Sequence, residues 1–172
     1  MRRKYPVTMI FIHWLTVVLL AINFLIGKNL EYLDFDAENF KYYRLHALTG
    51  AVIFFITVWR LILLKRNKDQ LPVLEFYGKF HELSYKVVHA LIYLMLLLVP
   101  VVGFITIFKS GAYVVDLGKP FPEGAKLNHD LVEIHELLVG FLIILILVHV
   151  AGVIIYRFKK DPDILKRMSF LP

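Results

Sequence analysis

Cysteine is absent from the 172 residues. A C-x-x-C-H attachment site for c-type haem is therefore excluded, and so is a thiolate-ligated iron–sulfur cluster. Any haem would have to be held non-covalently, by histidine or methionine. Sequence repeats and low-complexity segments are missing too. Charge is scarce inside four long apolar stretches, about residues 7–26, 45–64, 83–108 and 131–156. A hydrophobic fraction of 59% is too high for an ordinary soluble domain of this size. Each stretch reaches the roughly 20 residues that a helix needs to cross a bilayer. No room is left for a separate soluble domain. Residues 1–172 therefore read as one membrane domain, an all-α bundle of four transmembrane helices in contact with membrane lipid. The first apolar run is too long for a cleaved leader, and no small-residue cleavage site is evident around residues 27–30.

The formal net charge is +6, and its distribution carries more than its sum. Fourteen of the 20 Lys and Arg fall in the two tails and around the connection between the second and third spans. Six fall in the other two connections. The positive-inside rule then puts both termini in the cytoplasm. Topology accounts for the basic bias, so no nucleic-acid partner is expected.

Pro6 sits just before the first span, where helices often start, and Gly27 is expected to end it. Residues 28–44 read as a polar and aromatic interfacial loop. Leu71-Pro72 breaks the chain before the third span, and Pro100 is expected to kink that span. Residues 111–128 hold three Gly and two Pro and read as an irregular outer loop.

Histidines occupy every span. His135 and His149 are fourteen residues apart, close to four helical turns, so they share a face about 21 Å apart along the axis. Ionisable groups inside a span are costly and usually functional. His46 falls at the outer level with His135. His13 and His89 fall at the inner level with His149, and spacing leaves open which of the two pairs with it. The plain alternative is a histidine hydrogen-bonded between helices; matched depths on several spans favour ligation. One zinc ion cannot join two levels so far apart. His89 is equally a proton donor to quinone or a buried hydrogen-bonding residue. His81 and His129 sit at the predicted interfaces.

The fourteen-residue interval recurs. Gly27 follows His13, Arg60 follows His46 and Gly103 follows His89 by that distance. Glycine allows close approach to the backbone, so Gly50 and Gly103, and less so Gly27, are candidates to face a porphyrin. Arg60 is a candidate partner for a haem propionate. Packing between helices is the competing role for these glycines. Two haems held by histidine pairs, one near each surface, would form an electron path across the bilayer. A lipid quinone is the expected small-molecule partner.

Several segments together resemble the bacterial cytochrome b561 family of four-helix di-haem membrane proteins. They are Ile12-His13-Trp14, Arg44-Leu45-His46-Ala47-Leu48-Thr49-Gly50 and Trp59-Arg60-Leu61. They continue with His89-Ala90-Leu91-Ile92-Tyr93, Pro100-Val101-Val102-Gly103, Ile134-His135-Glu136 with His149, and Lys166-Arg167-Met168. No segment is distinctive alone; their order and spacing are. The resemblance covers nearly the whole chain. It implies two stacked b haems in the bundle, with His46 and His135 as iron ligands of the outer haem and His13 and His149 of the inner one. The choice of His13 over His89 comes from the resemblance alone. It further implies a superoxide oxidase of the bacterial inner membrane, passing electrons from periplasmic superoxide through two haems to ubiquinone. Related cytochromes are subunits that carry electrons between a partner dehydrogenase and the quinone pool, which is the alternative function. No appended docking domain is visible, which favours the first reading.

Superoxide is an anion, and positive charge would speed its capture. Residues 27–44 net −1 and residues 109–136 net −2, so any attraction would be local, at Lys41, Arg44, Lys126 and His129. The topology is directly testable. A reporter fused at the C-terminus should be active in the cytoplasm; activity only in the periplasm would reverse every inner and outer assignment.

Overall fold

A computed structural model describes residues 4–72, 75–76 and 78–170. Arg2 and Arg3, counted in the charge bias, lie outside them. Four long helices dominate: α1 (Val7–Leu30), α2 (Phe40–Arg66), α3 (Lys79–Lys109) and α4 (His129–Lys159). All four are long and apolar enough to cross a membrane. They pack in chain order, α1 on α2, α2 on α3 and α3 on α4. Both ends of the chain and the α2–α3 connection share one end of the bundle, here the termini end. The α1–α2 and α3–α4 connections form the loop end.

Without water in a bilayer, backbone and side-chain polar groups must be satisfied inside the protein. The helices do this locally. The Pro6 carbonyl accepts the N–H groups of Met9 and Ile10 at 2.9 and 3.1 Å. Asn128 caps α4 through its side-chain oxygen, which accepts the Leu131 N–H at 3.0 Å. Buried Thr16, Thr57 and Thr106 each donate to the carbonyl four residues back. Pro100 lies inside α3 without ending it. Helix ends extend beyond the expected apolar stretches at several points. Gly27 does not end the first helix, which continues one turn to Leu30. The loop expected over 28–44 is only 31–39, because Asp36 starts α2 early by accepting the Asn39 N–H through its carboxylate and the Phe40 N–H through its carbonyl. Within the 111–128 connection, Ala112–Leu117 forms a 3₁₀ turn.

The core lies midway along the bundle, where Ile53, Met95, Leu96, Leu142 and Leu145 are buried together. Large apolar side chains cover the outside: Phe55 is 69% exposed, Leu137 74% and Leu147 64%. An apolar exterior of this extent suits lipid. The loop end is closed by Phe35, Phe40, Tyr43 and Phe121, which meet edge to face or tilted at 5.0–6.1 Å. The Tyr43 hydroxyl donates to the Leu33 carbonyl at 2.7 Å, and Arg44 pairs with Asp116 at 2.7 Å.

The termini end is closed by the chain after α4. Trp14 Nε1 donates to the Met168 carbonyl at 2.8 Å, and the Tyr5 N–H to the Arg167 carbonyl at 3.2 Å. Arg167 Nη2 meets Asp161 Oδ2 at 2.7 Å, the residues being 8% and 1% exposed. Removing one partner of such a buried pair typically costs about 3–5 kcal/mol, because the other charge stays desolvated. Asp161→Ala should therefore loosen residues 161–170, so that trypsin cuts after Lys166 faster than in the unaltered protein. An unchanged digestion rate would show that this pair does not hold the segment.

Candidate functional site

An elongated cavity of about 1780 Å³ runs along the bundle interior, from Tyr5 and Arg167 at one end to Leu30 and Leu127 at the other. It exceeds the roughly 300–1,000 Å³ of an ordinary small-molecule pocket, which leaves room for more than one group. His13, His46, His89, His135 and His149 all line it, as do Gly50, Gly27, Gly103 and Arg60.

At the loop end, His46 of α2 faces His135 of α4. Their ring centres are 6.1 Å apart and their planes cross at 77°. A metal–imidazole bond of about 2.0 Å and a nitrogen-to-centre offset of about 1.1 Å put two trans imidazoles roughly 6.2 Å apart. The pair therefore has the spacing of two ligands on opposite sides of one iron. The tautomers fit as well. His46 Nδ1 lies 3.2 Å from the Asn23 carbonyl on α1, and His135 Nδ1 lies 3.1 Å from the Val99 carbonyl on α3. A carbonyl only accepts, so each Nδ1 carries the hydrogen and each Nε2 keeps its lone pair. Metal-bound histidines are oriented by this kind of outer hydrogen bond.

The termini end is organised differently. The ring centres of His89 and His149 are 4.8 Å apart, edge to face. That is too close for an iron between them. His89 Nδ1 donates to the Tyr85 carbonyl one turn back, at 2.7 Å, and the Tyr85 ring lies 4.2 Å from the His89 ring. His13 is within electrostatic reach of Arg60, His149 and His89. The Arg60 guanidinium sits over the Tyr93 ring at 5.6 Å. His13 Nδ1 and Arg60 Nε are buried without a hydrogen-bond partner among the described residues. Unsatisfied buried polar atoms cost about 1–3 kcal/mol each, so this level is suited to a guest that brings acceptors for the two N–H groups among them.

Of the remaining expected residues, Gly50 is buried one turn from His46, with the Asn23 amide as its neighbour. Gly27 and Gly103 lie against histidine rings at the loop end, at the expected depth but facing an imidazole. His81 stacks on Tyr156 at 5.7 Å. His129 is exposed and lies 3.5 Å from Glu133. The local positive charge considered at the loop end is only partly paired. Arg44 is bound to Asp116, Lys28 to Glu31, and Lys41 leans on the Tyr42 ring. Lys126 is exposed and has no ion-pair partner among the described residues. Sequence reasoning missed the Asn23 and Val99 carbonyls, which no side-chain pattern marks directly. It also missed that Tyr85 and Tyr93 flank His89 at four-residue steps on one face of α3.

No curated protein matches the chain significantly. The family described as prokaryotic cytochrome b561 matches residues 4–170. Members bind b-type haem, and the loop-end histidine pair fits such an iron in spacing and tautomer. With four apolar helices around a histidine-lined interior, this chain belongs to the prokaryotic cytochrome b561 family, the multi-pass membrane b-type cytochromes of electron transfer.

Proposed function

We propose that the protein is a di-haem electron-transfer oxidoreductase of the bacterial inner membrane, a superoxide oxidase that reduces ubiquinone. The carrying observation is the 6.1 Å facing of His46 and His135, with His149 about 21 Å away along α4. His46 and His135 hold the loop-end haem. His13 and His149 hold the termini-end haem. One feature supports His13 over His89: the His89 ring is too close to His149 to share an iron with it. The charge bias supports a cytoplasmic termini end and a periplasmic loop end.

Haem held by two imidazoles supplies one-electron transfer and offers no open coordination position. Oxidising two superoxide anions yields two molecules of dioxygen and two electrons; with two protons these convert one ubiquinone to the quinol. Arg60 is placed to neutralise a propionate. His89 and Tyr85 are the protonatable groups at the level where quinone would take up protons. Lys126 is one of the exposed loop-end cations available to attract an anion.

The net negative charge of both loop-end connections favours a second reading, a cytochrome b subunit fed by a partner dehydrogenase. Electrons delivered by a docked protein need no long-range attraction of an anion. Stopped-flow mixing of the oxidised protein with superoxide separates the two. Under the first reading the haem bands reduce rapidly, quinone reoxidises them, and Lys126→Ala slows capture severalfold at low ionic strength only. No reduction by superoxide would leave the partner-subunit reading.

The ligand assignments are checked by haem content. Pyridine haemochrome should give two haems per chain, and one after His13→Ala, His149→Ala, His46→Ala or His135→Ala. His89→Ala should keep both. Loss of a haem in His89→Ala with retention in His13→Ala would reverse the assignment.

A further inference from the structure

Two glycines do something at the loop end that the family's ligand pattern does not specify. A Cβ built on Gly27 of α1 would lie 2.9 Å from His46 Cε1 and 3.4 Å from its Nδ1. One built on Gly103 of α3 would lie 3.0 Å from His135 Cε1 and 3.2 Å from its Nδ1. Each glycine comes four residues after the carbonyl that takes the same ring's N–H, Asn23 for Gly27 and Val99 for Gly103. Residues four apart stack on one helix face. A side chain at the later position would cover the approach to the earlier carbonyl. The arrangement therefore occurs twice, once on each side of the pair. A bare helix face exposes a carbonyl, and the Cε1–Nδ1 edge of a ring from the next helix comes close enough to donate Nδ1–H. The other glycines of the long helices lack it. Gly140 and Gly152 meet nothing within 4 Å, and Gly50 meets only the Asn23 amide, at 3.7 Å.

We propose that Gly27 and Gly103 are positioning residues that seat the imidazoles of His46 and His135 and lock them near perpendicular for the loop-end haem. The proposal rests on the assignment of those two histidines as ligands. Because the seats belong to different helices, the rings are fixed independently, and the 77° between them follows. Ring orientation matters electronically. Near-perpendicular axial imidazoles leave two iron d orbitals almost degenerate. Low-spin ferric iron then gives a strongly anisotropic resonance with one very large g value, where parallel rings give an ordinary rhombic spectrum. The carbonyl bonds also raise the basicity of both ligands and so influence the potential.

Electron paramagnetic resonance of the oxidised full-length protein tests this. The loop-end signal is identified as the one lost in His135→Ala; if that variant keeps both haems, the ligand assignment itself has failed. In the unaltered protein this signal should be the strongly anisotropic one. A rhombic signal there overturns the proposal, whatever the variants do. Gly27→Ala and Gly103→Ala should each lower its largest g value and shift the midpoint potential of that haem, or release that haem alone. Gly140→Ala should change nothing. Unchanged spectra and potentials in both seat variants would overturn the proposal. If neither variant folds, the signal of the unaltered protein decides.

Discussion

An imidazole enclosed by apolar helices has two ring nitrogens to satisfy and no water to do it. An unpaired polar group in such surroundings costs several kcal/mol. At the loop end the bundle meets this constraint by crossing helices: α1 serves the histidine of α2, and α3 serves that of α4. The strongest helix pairings, α3 with α4 and α1 with α2, are the ones that make these bonds. Once each Nδ1–H is committed to a carbonyl, each Nε2 is left with a free lone pair in the shared interior. The aromatic cap of Phe35, Phe40, Tyr43 and Phe121 then shields this end.

The two ends of the cavity contrast. At the loop end both rings have backbone partners, and the geometry is set by main-chain atoms that side-chain motion cannot disturb. At the termini end, three histidines, Arg60 and two tyrosines crowd together, and His13 and Arg60 keep buried atoms unpaired. A rigid site and an under-satisfied one suit different tasks. A fixed ligand pair favours fast one-electron exchange with little rearrangement. Spare N–H groups and protonatable rings favour a site where negative charge is held and protons are moved. The C-terminal turn, anchored to Tyr5, Trp14 and Asp161, covers this second end.

Much of this was legible in the chain. Four apolar runs gave four helices, because hydropathy over about 20 residues is a strong signal. Depth along the spans set His46 at one level with His135, since helical rise is nearly constant, and their rings lie 6.1 Å apart. Helix ends were less legible. Gly27 reads as a stop, yet the helix passes through it with its bare face against the His46 ring. The same bareness was expected at Gly103 for a porphyrin; the neighbour turned out to be the His135 ring, which only the crossing of α3 and α4 determines. Ion pairs between distant loops, such as Arg44 with Asp116, are invisible to net-charge counting. The termini-end ligand could not be chosen by spacing, because His13 and His89 lie at one depth on neighbouring faces.

The central claim is that one iron lies between His46 and His135. A structure of the haem-loaded protein in lipid tests it most directly. The account predicts porphyrin density at the loop end, with iron about 2.0 Å from both Nε2 atoms and both Nδ1 atoms still bonded to the Asn23 and Val99 carbonyls. Iron bound at that level by any other pair, or through Nδ1 of either ring, would contradict it.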